Sequence, residues 1–100
     1  MRKVYVINYV ETYSDGSFLA GVSYVMPTLY DAQKMLKSIK EDEKQFYLDA
    51  GTRETMEEIN ELFHDIEQGN GFKIDFGDEY TMYTIREYEV KKYNDIIRGN

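Results

Sequence analysis

Apolar residues fall at both parities of the first ten positions, where Val4, Val6 and Val10 alternate with Tyr5, Ile7 and Tyr9 and only Asn8 interrupts. That mix of β-branched and aromatic side chains predicts a central strand over residues 2–10. Ser14-Asp15-Gly16-Ser17 is a turn signal, and a second apolar run from Phe18 to Met26 completes a hairpin. Within that run Gly21 marks a bulge or a close contact. Pro27, the one proline of the chain, ends it.

The period then changes. Leu29, Ala32, Met35, Leu36, Ile39 and Phe46 recur at helical spacing, and Thr28 with Asp31 three residues later resembles a helix start. This helix is expected to run to about Leu48, loosening at the charged run Lys40 to Lys44, and to stop at Gly51. A second helix opens at Thr52 or Thr55, with Thr55/Glu58 the better capping box. Its stripe of Met56, Ile59, Leu62, Phe63 and Ile66 is amphipathic, and Gly69-Asn70-Gly71 terminates it. Phe72 to Phe76 alternates as a strand, Gly77-Asp78-Glu79 turns, and Tyr80 to Val90 reads as a long final strand. There Met82 and Ile85 have opposite parity, which calls for a bulge or for two partly buried faces.

The order is ββααββ. Two helices with single apolar stripes need one sheet face to cover, so the expected class is α+β: a four-stranded, mainly antiparallel sheet with both helices packed on one face. The other face is then partly exposed. One hundred residues fit a single domain, 1–100, whose tail from residue 91 has Ile96 and Ile97 for docking or frays.

Three of these pieces occur together elsewhere: the turn Asp15-Gly16-Ser17, the stretch from Gly21-Val22-Ser23 to Tyr30-Asp31-Ala32-Gln33-Lys34, and the closing Tyr83-Thr84-Ile85-Arg86-Glu87-Tyr88-Glu89-Val90. Over about half its length the chain resembles a loose group of short uncharacterised proteins, frequent in bacteriophages and mobile elements, in which a hairpin leads into a helix and a similar strand closes the sheet. The resemblance implies that architecture and carries over no functional residue, because the group has none assigned. The acidic segment 52–68 departs from its shorter pattern.

Composition narrows the chemistry. The chain has no cysteine, so disulfides and thiolate metal sites are excluded and a reducing, cytoplasmic setting is the expectation. No signal-peptide pattern opens it and no run reaches the length of a membrane span. A net charge of −7 repels nucleic-acid phosphates and anionic lipids, so neither direct nucleic-acid binding nor a membrane partner is expected. The charge is concentrated: residues 41–67 hold ten acids against Lys44 and Arg53.

Glu61-x-x-His64 has the i, i+3 spacing of carboxylate-bridged metal sites, but His64 is the only histidine, and a solvated polar face accounts for the pair. Asp75-Phe76-Gly77 lacks every other element of a kinase magnesium site. Asp75, Asp78 and Glu79 read as turn residues. With no nucleophile–base pair, phosphate loop or framed carboxylate pair, no catalytic residue, cofactor or metal is assigned, and a small enzyme ranks third among the readings.

Ten tyrosines and an acidic ridge remain. Tyr5, Tyr9, Tyr24, Tyr83 and Tyr88 fall on strands, so an open sheet face would present some of them for pairing two copies into a homodimer, a structural or assembly role. Glu54, Glu57, Glu58, Glu61 and Asp65 would line one ridge of the second helix, opposite its apolar stripe. A solvated, solubilising face explains such a ridge, and so does complementarity to a basic partner. The leading expectation is a non-catalytic protein-binding module whose acidic ridge covers a basic surface of a nucleic-acid-handling or defence enzyme, as an inhibitor of the anti-CRISPR kind does.

Overall fold

The computed structural model describes residues 2–91. Its elements are strands β1 (Arg2–Thr12) and β2 (Phe18–Met26), helices α1 (Leu29–Asp49) and α2 (Met56–Asn60), then strands β3 (Phe63–Ile66), β4 (Gly71–Asp75) and β5 (Tyr80–Val90). The fold is α+β with five strands, every pair antiparallel, in the spatial order β2-β1-β5-β4-β3. The expected tail lies outside the described residues from position 92 onward.

Local chemistry explains the first half. In the β1–β2 turn Gly16 donates to the Tyr13 carbonyl and Tyr13 donates to Ser17, while Gly16 takes φ +87°, a type I turn closed by a glycine bulge. The Thr28 hydroxyl accepts from the Asp31 amide at 3.0 Å and starts α1, and Gly51, at φ +75°, follows its end. One face of α1 buries Ala32 and Leu36, but Phe46, expected on that stripe, is exposed and Tyr47 points inward instead.

The second helix departs most from expectation. Thr55 does cap it, accepting from the Glu58 amide at 3.2 Å, yet the helix spans only Met56–Asn60. Phe63–Ile66 is a strand, which makes the sheet five-stranded and not four-stranded. The run Leu62, Phe63 and Ile66 satisfies either period; pairing decides it. As a strand, Phe63 sits opposite Ile74 and its ring stacks on Phe72 at 5.9 Å, while Ile66 closes over Gly71. Glu67 and Gln68, both at positive φ, make the tight return into β4.

Residues directly opposite in an antiparallel pair share a face. Register therefore puts Tyr5, Ile7 and Tyr9 of β1, Ile85 and Tyr83 of β5 and Phe72 and Ile74 of β4 on one side, beneath α1 and α2. The core forms there, with Ile7, Ile59 and Ile74 wholly buried. The β1–β5 pairing runs without a break from Arg2 to Thr12, so the opposite parities of Met82 and Ile85 reflect two faces and not a bulge. The one register shift lies between β1 and β2, where Ser23 is extra: Ile7 faces Tyr24 and Asn8 faces Val22.

Candidate protein-interaction surface

The strand β2 closes one margin of the sheet, and its sequence, Phe-Leu-Ala-Gly-Val-Ser-Tyr-Val-Met, holds no charged residue. Phe18, Leu19, Val22, Tyr24 and Val25 are all exposed, Phe18 at 72% and both valines at 59%. Edge strands usually carry lysine, proline or short length to prevent pairing with another chain. Here only the bulge at Ser23 interrupts the nine-residue strand. The opposite margin, β3, spans four residues and includes His64 and Asp65. Where β1 and β5 run past their neighbours, Arg2 and Lys3 or Arg86, Glu87 and Glu89 supply charge.

Which β2 groups are free follows from the turn. The Tyr13–Ser17 hydrogen bond sets the alternation of the antiparallel ladder, so Phe18, Ala20 and Val22 turn their N–H and C=O groups away from β1. Their side chains, by the same register, stand on the sheet face away from the helices.

That open face is valine-rich. It carries Val4, Val6 and Val10 from β1, Val22 and Val25 with Phe18 from β2, and Met82, Tyr80 and Tyr88 from β5. The expected tyrosine face is corrected by register. Tyr5, Tyr9, Tyr24 and Tyr83 turn to the helix side, and only Tyr88 of the five stands on the open face. Tyr83 stacks on Phe72 at 5.0 Å, Tyr9 tilts against Tyr83 at 6.2 Å, and Tyr5 donates to Glu87 at 3.0 Å. Tyr24 lines a hollow of about 410 Å³ with Ser23, Ile39, Asp42, Glu43 and Tyr83.

The acidic ridge does not form one helical line. Glu54 precedes α2, Glu57 and Glu58 lie on it, Glu61 ends it, and Asp65 belongs to β3. Asp65 pairs with Lys40 of α1, and Glu58 is tied to the Thr55 hydroxyl at 3.0 Å. Glu54, Glu57 and Glu61 are exposed and make no ion pair among the described residues. Since Glu61 and His64 sit on different elements, their helical spacing is not realised either.

One further cluster lies under α1. Desolvation raises the Glu43 carboxyl above its ordinary value, Glu11 and Asp42 add to the rise, and the Tyr83 hydroxyl opposes it by donating a hydrogen bond. Burial pushes the Tyr47 hydroxyl up to about 12. These groups make a half-buried acid–phenol cluster in which the Tyr83 hydroxyl is the donor to Glu43. Near the turn, Asp75 accepts from the Gly77 amide at 2.9 Å and Glu79 from the Ser14 amide at 3.3 Å, so both carboxylates serve the loops.

Among the described residues, no helix is long and apolar enough to cross a membrane, and no group of three or more His, Asp or Glu side chains is placed to hold a metal ion. The β2 edge escaped the sequence reading although its signal, nine positions without a charge, was present; strand order, which identifies β2 as an edge, is not a local property. No protein-family model, curated protein or solved structure matches the chain.

Proposed function

We propose that this chain is a non-catalytic protein-binding module that takes up a protein strand along β2. The observation that carries the reading is the uncharged, exposed edge of Phe18–Met26, bordered by the valine-rich face. Strand addition at such an edge draws affinity from main-chain hydrogen bonds and specificity from side chains at alternate positions. Both are on offer here: the outward backbone groups of Phe18, Ala20 and Val22, and the side chains of the same three residues beside Val10 and Val6.

A second reading is favoured by Glu54, Glu57 and Glu61, three exposed acids without a basic partner among the described residues. They fit a basic protein surface, and with the phage-like pattern of hairpin, helix and closing strand they support an inhibitor of a nucleic-acid-handling or defence enzyme. In that reading the acids around α2 steer the encounter, which weakens as salt screens them over about 10 Å at 0.1 M.

Photo-crosslinking in cells separates the two. A photoreactive residue at Val22 is expected to give protein adducts, with its own chain or another, and one at Glu57 is expected to give few. Adducts from Glu57 alone would overturn the edge reading in favour of the acidic surface.

A further inference from the structure

We infer that the strand completing β2 is β2 of a second copy, paired antiparallel about a two-fold axis at Ala20; this deepens the strand-addition reading and rests on it. Charge selects first where two copies can meet. Each chain carries −7, so contact between two copies through most of the surface brings like charges together. The β2 edge puts no charged side chain at the seam, so that cost is smallest there. A strand from an unrelated partner would find no charge on β2 to select it by.

Register selects the geometry. The stretch Phe18–Val22 precedes the extra residue at Ser23 and so alternates cleanly between the two faces. Centred on Ala20, self-pairing puts Phe18 opposite the partner's Val22, both on the valine-rich face, and Leu19 opposite the partner's Gly21, both on the helix side. An aromatic ring against a β-branched residue is a favourable cross-strand pair. Gly21 lies against the Tyr9 ring, whose hydroxyl is 2.9 Å from where a Cβ would stand, so the partner's leucine arrives beside an aromatic surface with no side chain in its way. A register centred on Val22 fails, because the bulge would set Phe18 and the partner's Met26 on opposite faces.

The backbone agrees with the same centre. Phe18, Ala20 and Val22 are the residues whose N–H and C=O groups point outward, so Ala20 meets its counterpart as a hydrogen-bonded pair and about six main-chain bonds form across the axis. The two five-stranded sheets become one continuous sheet with both helix layers on the same side.

The chain lacks cysteine, which allows a direct test. Hydrogen-bonded partners in an antiparallel pair have Cα atoms about 5.5 Å apart, inside the range a disulfide spans. Ala20→Cys is therefore expected to oxidise to a covalent dimer on the order of a hundredfold faster than Phe46→Cys, an exposed site on α1 and not on the β2 edge. Sedimentation of the unmodified chain is expected to shift from one-chain to two-chain mass as concentration rises, and Ala20→Lys, at an exposed position, is expected to keep its circular dichroism and stay at one-chain mass. Equal oxidation rates at the two cysteine sites, or one-chain mass at every concentration, would overturn the self-pairing. If that result comes with Val22 photo-adducts to other proteins, strand addition stands with a different occupant; with no Val22 adducts, both fall.

Discussion

The Tyr83 hydroxyl donates to the Glu43 carboxylate at 3.4 Å, linking β5 to the underside of α1. Both groups are about half-buried, and burial is the main cause by which each holds its proton more tightly than usual. The contact joins the sheet to α1 and lets Glu43 register pH.

Glu43 is raised above 4.5, so the folded chain binds its proton more readily than the unfolded chain does. Stability from this group is thus present below the ordinary value and is lost as pH rises through the raised one. Glu43→Gln, which keeps an acceptor for Tyr83, is expected to be more stable than the wild type at pH 7 and to show no advantage near pH 4. Urea midpoints measured across that range check it; an advantage that shrinks toward neutral pH would contradict it.

Leu62 is buried in the core and Phe46 is 62% exposed, so size and cost should part company. Leu62→Ala is expected to lose about 2–5 kcal/mol and Phe46→Ala under about 0.5 kcal/mol in chemical denaturation. The reverse order would mean that α1 meets the sheet by another face.

Two glycines separate backbone from side-chain obstruction. At Gly71 a Cβ would lie 2.7 Å from the Tyr83 carbonyl oxygen, and at Gly21 it would meet the Tyr9 hydroxyl at 2.9 Å and its ring at 3.0 Å. A ring rotates more easily than a paired strand moves. Gly71→Ala is expected to cost about 1–3 kcal/mol and Gly21→Ala less, as read from thermal unfolding.

How much of this was legible turns on particular residues. Thr28, Pro27 and the Asp15-Gly16 turn act through their immediate neighbours, so both hairpin strands and α1 could be placed from sequence. Leu62, Phe63 and Ile66 fit a helical stripe and a short strand alike, and Phe72 and Ile74, which tip the balance, come later in the chain. The tyrosines failed for a related reason. β1 and β5 are apolar at both parities, so local pattern does not say which parity the helices cover; in β1 the tyrosines and Ile7 took the covered side and the valines the open one, while β5 turns Tyr83 and Ile85 under the helices and Tyr80 and Tyr88 outward. The five acids share a helical spacing only if the helix reaches Asp65, and it ends at Asn60.

Gln68 holds φ +58° in the return from β3 to β4, a conformation that side chains with a Cβ adopt at a cost of about 1–2 kcal/mol. Gln68→Gly relieves that cost but adds freedom to the unfolded chain, for an expected net gain of about 0–1 kcal/mol. Gln68→Val is expected to destabilise. Melting temperatures in the order glycine, glutamine, valine would match this, and valine at or above glutamine would contradict it.

The two margins of the sheet differ in kind, and the difference sets a valence. A strand added to β2 meets nine uncharged residues, whereas the far margin offers the four of β3, His64 and Asp65 among them, and then the sharp return at Glu67 and Gln68. Strand pairing, where it occurs, is therefore favoured at one side only. Under the self-pairing inferred above, a sheet with one such side would make a pair and stop, so an exposed, uncharged strand need not make this chain a monomer unit for a fibre.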